Sequence, residues 1–373
     1  MRVKDLRPTG APAAPALTVR ASAGAELLRL IGVLVDDVEE YDVGADRLAA
    51  LRAQLDPELL AELRDLDGGA GISFHVLSLV AADLPDPAGV EELLAVLDHD
   101  PTLGWRLLLA HYALHNLHSD VQPDPVVLAQ AEAGEPEAVA TLRASLEEMT
   151  DHPVGMGSLL DTTPTDHGDR LVAAVRAIRS LWHQVEAETM HARTRDVAPR
   201  QAQIDDGMSV ADIVLAATNG YELSGDATIG RIVLLPSFWL RPWLVVGRHA
   251  DAEVLTTVVA EEFLVLPPEA PSPGLLRLFK ALADESRLTL LRRMSSGPIS
   301  LTEATAELDV AKATAHHHIS ILRQAGLVTV GGAGRTSRYA LRQDPPTVAA
   351  ELLASYLDPH RPTTLLPSDP EGT

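Results

Sequence analysis

The chain has 373 residues, a mass of 39.8 kDa and a formal net charge of -23, and this length predicts two or three domains rather than one. It contains no cysteine, which excludes disulfides, thiolate metal sites and cysteine nucleophiles. Hydrophobic residues make up 46% of the chain and aromatic residues only 3%, so helices packed through Ala, Leu and Val are expected.

The N-terminal residues are unlike an export signal. MRVKDLRPTGAPAAPALTVRA carries charges and prolines where such a signal needs an unbroken apolar run. No stretch of the sequence approaches the roughly 18 uncharged apolar residues that cross a bilayer. Residues 1–17 are predicted to be disordered, and the chain is expected to be cytoplasmic with no membrane partner.

Residues 18–200 are predicted to form a helical regulatory or sensor domain. Apolar residues recur there every three or four positions, and short clusters of Pro, Asp and Gly separate the periodic runs. The predicted helices cover 25–38, 45–55, 57–66, 90–97, 103–117, 136–149 and 169–192.

Residues 201–268 are predicted to be a β-containing junction segment. Its most apolar run is IVLLPSFWLRPWLVVG, which two prolines and Arg241 interrupt. Such a run predicts buried strands joined by a turn. The following PPEAPSPG is typical of a linker.

The acidic total hides a basic segment near the C-terminus. Residues 274–342 hold ten Lys or Arg against five Asp or Glu, a net charge of +5, whereas the residues before them sum to -24 and the tail after them to -4. This asymmetry is expected if only the basic segment approaches phosphate.

Residues 274–357 are predicted to contain a helix-turn-helix. Asp284 is placed to cap one helix, and Ser300 with Glu303 forms the S-x-x-E capping box of the next. Asp309 lies in a tight turn that leads into a further helix, which contains the sequence ATAHHHISILRQ.

The faces of that last helix argue against a metal site in its histidine run. Ala315, Ile319 and Leu322 share one narrow stripe, which predicts a buried face, while His317 points the opposite way. Consecutive helical residues diverge by about 100°, so residues 316–318 cannot all hold one metal ion. The run therefore indicates an outward face that reads DNA.

A basic hairpin is predicted beside this face. Residues 327–330 and 337–341 can pair across a glycine-rich loop that holds Arg335, with Arg338 close behind. A helix with an adjacent basic hairpin is typical of a winged helix. In that fold the helix enters the major groove, and the wing reaches phosphate or the minor groove.

The segments ALADESRLTLLRRM, ISLTEATAELDV, AKATAHHHISILRQAGLV and GGAGRTSRYALR resemble, in this order, the ArsR-type winged helix of bacterial transcription regulators. The resemblance covers about residues 275–342 and implies a regulator that binds double-stranded DNA. Metal-sensing members of that family place cysteines in the helix that here reads ISLTEATAEL, so their sensor site is absent. The preceding region is similar to a less characterised architecture, mostly actinobacterial, in which a long helical domain precedes the same winged helix.

The resemblance also implies which side chains contact DNA. Carried over by position, the residues that face DNA are Lys312, Ala313, Thr314, His316 and His317, with Arg335 as the wing contact. Ser320 shares the outward helix face and Arg338 follows Arg335, so both are added to the predicted interface.

The motif HYALHNLH is a second candidate for metal binding. His111, His115 and His118 are spaced four and three residues apart and lie on one stripe of a predicted helix. Leucines share that face, so core histidines or the wall of a ligand pocket are the alternative interpretations. A zinc-protease motif is excluded because Tyr112 stands where H-E-x-x-H requires glutamate.

The sequence as a whole predicts a mainly helical fold with small β elements: a helical domain, a short β-rich segment and a winged helix-turn-helix. The expected function is sequence-specific, repressor-like regulation at an inverted-repeat operator, responsive to an unknown small-molecule effector and requiring no cofactor. Residues 347–357 suit a homodimer helix, and residues 358–373 are predicted to be disordered. The alternatives are a metal-responsive regulator that uses the HYALHNLH stripe, or an enzyme with an appended winged helix.

Overall fold

The computed structural model describes residues 15–37, 41–68, 72–85, 89–116, 124–147, 156–223, 229–264, 271–331, 337–342 and 345–358. The chain divides into two compact units. Met1–Ile213 and Asp226–Phe263 form one, here called the N-terminal unit. Val214–Gly225 and Leu264–Thr373 form the other, the C-terminal unit. No described helix has the length and apolar character needed to cross a bilayer.

The N-terminal unit is mainly helical. It begins with strand β1 (Ala16–Val19) and continues through helices α1 (Ala23–Val35), α2 (Ala45–Arg52), α3 (Pro57–Asp67), α4 (Ser73–Leu77), α5 (Val90–His99), α6 (Leu103–Asn116), α7 (Pro125–Glu132), α8 (Pro136–Glu147), α9 (Met156–Asp161), α10 (Pro164–Ala177) and α11 (Arg179–Asp205). A 3-10 turn, Ser78–Ala82, follows α4. Helix α12 (Val210–Ala217) carries the chain across the border between the two units.

Local capping explains several helix starts. The side chains of Ser22, Asp56, Asp124 and Thr163 accept backbone N–H groups at the first turns of α1, α3, α7 and α10. Proline occupies the first turn of α3, α7 and α10, where its missing N–H costs no helical hydrogen bond.

Helix α1 is the centre of the N-terminal unit, because all of its residues are buried. It packs against α3, α4, α5 and the 3-10 turn. Its one acidic side chain, Glu26, accepts the backbone N–H groups of Phe238 and Trp239 at 2.7 and 3.2 Å. Arg29, one turn later, donates to the Thr256 hydroxyl at 2.8 Å, so this helix binds the β region through buried polar contacts.

Strands β2 (Arg231–Ser237), β3 (Val245–His249) and β4 (Ala252–Val258) complete a sheet in the order β1-β2-β4-β3. β1, β2 and β4 run parallel, and β3 pairs antiparallel with β4. All but the first residue of β2 are buried, and α11 packs against β1 and β2. IVLLPSFWLRPWLVVG predicts buried strands, and β2 confirms this, since an interior parallel strand reads as a continuous apolar run. β3 differs, because it lies at the sheet edge and is only half-buried over most of its length.

The observed units differ from the predicted domain limits. Leu17 lies in the segment predicted to be disordered, yet it belongs to β1 and pairs with Ile232. The strands of the predicted junction segment 201–268 join this same sheet rather than forming a separate region. Periodicity reports the local conformation of a strand but not its partner, and this partner is more than two hundred residues away.

The C-terminal unit contains α13 (Pro273–Leu282), α14 (Glu285–Met294), β5 (Ile299–Ser300), α15 (Leu301–Leu308), α16 (Lys312–Gln324), β6 (Val328–Gly331), β7 (Arg338–Leu341) and α17 (Pro345–Leu357). The three strands form an antiparallel sheet in the order β5-β7-β6. Helices α15 and α16 are the helix-turn-helix, and β6 with β7 is the wing. The structure therefore confirms the predicted winged helix.

A short segment from earlier in the chain also belongs to the C-terminal unit. Residues 219–222, here called the strap, lie beside β6: Glu222 N–H donates to the Val330 carbonyl at 2.9 Å, and Val330 N–H donates to the Gly220 carbonyl at 2.8 Å. The guanidinium of Arg342 donates to the Asn219 side chain. The strap thus adds a parallel bridge at the edge strand of the wing sheet.

Two buried histidines predict how the stability of the N-terminal unit depends on pH. Burial, with Arg29 nearby, lowers the pKa of His75 to about 4, and burial, with Arg170 nearby, does the same for His167. Between pH 6.5 and 4 an unfolded chain binds protons that these folded histidines exclude. Stability is therefore complete above pH 6.5 and falls by on the order of 3 kcal/mol per histidine as the pH drops to 4.

Tryptophan fluorescence isolates this unit in a urea titration, because every tryptophan of the chain lies in it: Trp105, Trp182, Trp239 and Trp243. We expect the urea concentration at the unfolding midpoint to decrease as the pH is lowered from 7 to 5. His75→Gln should make that pH dependence shallower. A midpoint that stays constant across this range would contradict the prediction.

Candidate nucleic-acid interface

The helix-turn-helix is built from a capped helix, a tight turn and close helix packing. The Ser300 hydroxyl accepts the Glu303 N–H at 3.2 Å while the Glu303 carboxylate accepts the Ser300 N–H at 2.8 Å, which confirms the predicted capping box. Asp309 ends α15 in the left-handed region at φ 52°. α15 and α16 pack against each other, and each contributes an alanine that is fully buried, Ala304 and Ala315.

Helix α16 has one buried face and one exposed face. Ala315, Ile319 and Leu322 are buried in the core of the C-terminal unit, which confirms the predicted stripe. His318 is half-buried, and its Nδ1 lies 3.8 Å from an Asp284 carboxylate oxygen. The histidine run is therefore split between faces, as the helical geometry requires.

The structure brings the α16 residues that were predicted to contact DNA onto one surface, here called the reading face. Five of them are exposed: Lys312, Ala313, Thr314, His316 and His317. The sixth, Ser320, is half-buried. The first turn of α16 holds no acidic residue, so no carboxylate in that turn opposes a phosphate backbone.

The pKa of His316 is shifted downwards, which favours its neutral form. Desolvation by the neighbouring side chains is the main cause, and the charges of Arg323, His317 and Lys312 add to it. A neutral imidazole offers one donor and one acceptor, and this is the chemistry that base edges in the major groove can match.

Only one of the two predicted wing arginines lies in the described part of the chain. Arg335 falls in residues 332–336, outside the described part of the chain. Arg338 is exposed at the start of β7, but its Nη1 donates to the Glu303 carboxylate at 2.8 Å. Arg338 therefore ties β7 to the capping box of α15, and this contact would compete with a DNA phosphate for its guanidinium.

The capping box gives a stability prediction. Ser300→Ala leaves the Glu303 N–H without its side-chain acceptor, so α15 should lose about 1 kcal/mol of local stability. Hydrogen exchange of a peptide covering residues 301–308 measures this loss directly. Thr302→Ala, an exposed neighbour on the same helix, serves as control, and equal exchange in both variants would contradict a capping role for Ser300.

The HYALHNLH stripe is only partly described. His111 is half-buried on α6, and its ring meets Tyr112 edge-on with 6.0 Å between centroids. The side chain of His115 and all of His118 lie outside the described residues. Within the described ranges, no three His, Asp or Glu side chains are arranged to hold a metal ion.

Comparison with known proteins identifies the winged helix. Residues 282–331 match a family described as a helix-turn-helix domain. The uncharacterized HTH-type transcriptional regulator YceK of Bacillus subtilis is 39% identical over 70 residues, which are 18% of this chain and 70% of that protein. The arsenical resistance operon repressor of Escherichia coli is 30% identical over 79 residues, which are 21% of this chain and 68% of that protein.

The chain belongs to the ArsR family of helix-turn-helix transcription regulators. A solved structure titled as an ArsR family transcriptional regulator is 31% identical to this ArsR-family chain. The matched region makes up 22% of this chain and 92% of the solved one, with a TM-score of 0.21. This ArsR-family protein is a DNA-binding transcription regulator. Each of these matches covers about a fifth of the length of the present chain.

One part of the winged-helix unit of this ArsR-family chain was not found by sequence reasoning. The sequence places the strap residues in the predicted β-containing junction segment, with no link to the wing. The dipeptide Asn219-Gly220 signals a turn, and both residues have positive φ, at 57° and 111°. Gly331 shows how closely the strap lies, because a Cβ there would be 2.5 Å from Glu222 Oε2.

Proposed function

We propose that the chain binds an inverted-repeat operator as a homodimer and represses transcription in response to an effector of the N-terminal unit. Each reading face lies in one major groove, and the two grooves are about one helical turn apart on the same side of the duplex. One observation carries this proposal: the reading face is exposed in a basic segment of an acidic chain. Phosphate attraction is thereby confined to one part of the molecule.

The dimer contact is proposed for α13 and α17. These helices pack together, and between them they expose large apolar side chains: Leu276, Phe279, Leu353, Tyr356 and Leu357. We call this surface the dimer face. Apolar patches of this kind on a compact unit favour association with a second copy, and a two-fold dimer matches a two-fold operator.

The direct DNA contacts are proposed to divide by role. Lys312, together with Arg335 and Arg338 of the wing, neutralises phosphate, while Thr314, His316, His317 and Ser320 reach base edges. Ala313 allows close approach of the helix to the groove. In this proposal the N-terminal unit regulates DNA binding and does not carry out catalysis.

The experiment is a selection of bound sequences from a randomised DNA duplex with the full-length protein, followed by footprinting. We expect two-fold symmetric sequences whose half-sites are centred about 10 base pairs apart. A single asymmetric half-site would overturn the dimeric arrangement. Recovery of no preferred sequence at low salt would overturn sequence-specific binding.

A further inference from the structure

The strap belongs to the C-terminal unit, yet the chain enters the N-terminal unit on both sides of it. The N-terminal unit ends at Ile213 and resumes at Asp226. Where the strap begins, the Thr218 hydroxyl donates to the Val214 carbonyl of α12 at 2.6 Å and accepts the Tyr221 N–H at 3.0 Å. A hydrogen-bonded turn therefore fixes the strap to the last turns of α12.

The backbone of the strap holds β6. Val330 N–H donates to the Gly220 carbonyl at 2.8 Å, and the Val330 carbonyl accepts the Glu222 N–H at 2.9 Å. On its other side Val330 lies opposite Tyr339 of β7. Because the Val330 N–H donates to the strap, its protection against hydrogen exchange reports whether the strap is attached.

The side chain of Asn219 connects the strap to the elements on either side of β6 in the chain. Its oxygen accepts a hydrogen bond from the guanidinium of Arg342, which follows β7. Its amide also packs on Gly326, which follows the C-cap of α16, and a Cβ there would be 3.0 Å from Asn219 Oδ1 and Nδ2. One side chain thus fixes the strap to the end of the helix-turn-helix and to the end of the wing sheet.

The strand that the strap holds leads directly into the predicted wing contact with DNA. Gly331 is the last residue of β6, and a Cβ there would be 2.5 Å from Glu222 Oε2. Arg335, the wing contact in the proposed function, follows four residues later in the sequence. The position of β6 therefore determines where the wing starts.

We propose that the strap positions the wing for DNA, that Asn219 is the positioning residue, and that the N-terminal unit controls the wing through this attachment. With the strap attached, β6 is hydrogen-bonded on both sides. With the strap detached, β7 alone holds β6, and the wing contributes less to binding. DNA binding then favours attachment as much as attachment favours DNA binding. The inference rests on the proposed contact between the wing and DNA.

Asn219→Gly tests the proposal in the full-length protein. It removes the side-chain amide, and glycine readily adopts the positive φ of this position. The Val330 amide, followed by NMR, should exchange at least about tenfold faster, since a hydrogen bond to a charged group is lost. Operator affinity, measured by fluorescence anisotropy, should fall about threefold to tenfold for each bound copy. Faster exchange with unchanged affinity would overturn the positioning role.

Two further variants separate the side chain of Asn219 from other effects. Asn219→Asp keeps an acceptor for Arg342 and tolerates the left-handed φ, so exchange and affinity should stay near those of the wild type. Ala250→Gly changes another non-glycine residue of positive φ, at 51°, in the turn between β3 and β4. It should leave both quantities unchanged. An equal loss of affinity in Ala250→Gly and Asn219→Gly would assign the effect to chain flexibility and overturn the proposal.

A measurement on the wild type needs no substitution. Saturating operator should slow exchange of the Val330 amide more than that of the Ala283 amide, which donates to the Phe279 carbonyl at the end of α13. If no operator is selected, an unrelated duplex at low salt is the probe, because phosphate contacts do not depend on sequence. Equal slowing of both amides would overturn preferential attachment of the strap in the DNA complex.

Control by the N-terminal unit has its own readout. Tryptophan fluorescence reports the unfolding of that unit in urea, and DNA should raise the midpoint, because unfolding of the unit removes the support of the strap. Asn219→Gly should reduce this rise. A midpoint that DNA leaves unchanged in the wild type would overturn control through the strap.

A double-mutant cycle locates the effect in the wing. Asn219→Gly should cost less affinity in an Arg335→Ala background than in the wild type, whereas with Lys312→Ala, in the first turn of α16, the losses should add. Additivity in both pairs would overturn positioning of the wing. If Arg335→Ala alone has no effect, the wing contact in the proposed function is wrong, and the exchange of Val330 with and without DNA still decides whether the strap and DNA binding are linked.

Discussion

His317→Ala lowers the affinity of the full-length protein for its selected two-half-site operator by about thirtyfold or more, and also reduces its preference over unrelated DNA. The reason is the exposed position of His317 on the reading face of α16, opposite the buried stripe. Loss of one base contact costs about 1–3 kcal/mol per half-site, whereas loss of a phosphate contact weakens binding to all sequences alike. Fluorescence anisotropy with operator and scrambled duplexes at fixed salt measures the affinity for the operator and the preference over unrelated DNA.

His191→Ala is the matched control, because His191 is an exposed histidine on α11 of the N-terminal unit. The operator affinity of this variant should equal that of the wild type. An unchanged operator preference in His317→Ala would refute base reading by His317.

Arg335→Ala should weaken binding to both duplexes and reduce the slope of affinity against salt by about one ion per site. Arg195→Ala, which removes the same charge from an exposed position of α11, should leave that slope unchanged.

The double variant Phe279→Glu with Leu353→Glu produces a monomer and weakens operator binding by about 10²- to 10⁴-fold, the usual gain from linking two binding modules. Both side chains are large, apolar and exposed on the dimer face, at 44% and 38%. Two added carboxylates per copy would face their counterparts across a two-fold axis, where like charges repel. Analytical ultracentrifugation gives the mass of the species, and anisotropy gives the affinity.

Leu288→Glu supplies the control for added charge. Leu288 is an equally exposed leucine, at 49%, but it lies on α14 and not on the dimer face. We expect this variant to remain dimeric and to lose only the modest affinity that one further negative charge costs. A double variant that sediments as a dimer would show that another surface joins the copies.

The winged helix could be predicted in detail because its determinants are local. The cap at Asp284, the capping box at Ser300, the turn at Asp309 and the stripe through Ala315 each depend on residues within one or two helical turns. Such signals can be read directly from sequence. Exposure of the reading face followed from the same periodicity, although DNA contact by those residues stays a prediction.

The N-terminal unit shows where this reasoning fails. β1 is four residues long and pairs in parallel with a strand that follows twelve described α-helices, so no local signal names its partner. The burial of histidines is a second example. The spacing in HYALHNLH draws attention to His111 of α6, whereas the structure buries His75 of α4 and His167 of α10 almost completely. Only tertiary packing produces that burial.

The ion pair of Arg338 is a similar case. Its position behind Arg335 predicts a DNA contact, which stays a prediction, whereas the contact of its guanidinium with the Glu303 carboxylate could not be foreseen. The pairing of β7 with β5 determines this contact, since Ser300 lies opposite Arg338 in the sheet. Sequence spacing between residues 303 and 338 carries no information on that register.

The strap makes the DNA-binding unit discontinuous in the gene. Any fragment that begins at the linker before α13 contains the whole family match, yet it leaves the edge of β6 without Gly220 and Glu222 as hydrogen-bond partners. Uncovered strand edges pair with other chains, so such a fragment should self-associate. A domain transplant or a truncated expression clone would therefore have to carry residues 214–225 as well, joined to the winged helix by a new loop. The protein consequently lacks a simple modular boundary at which recombination could exchange one N-terminal unit for another.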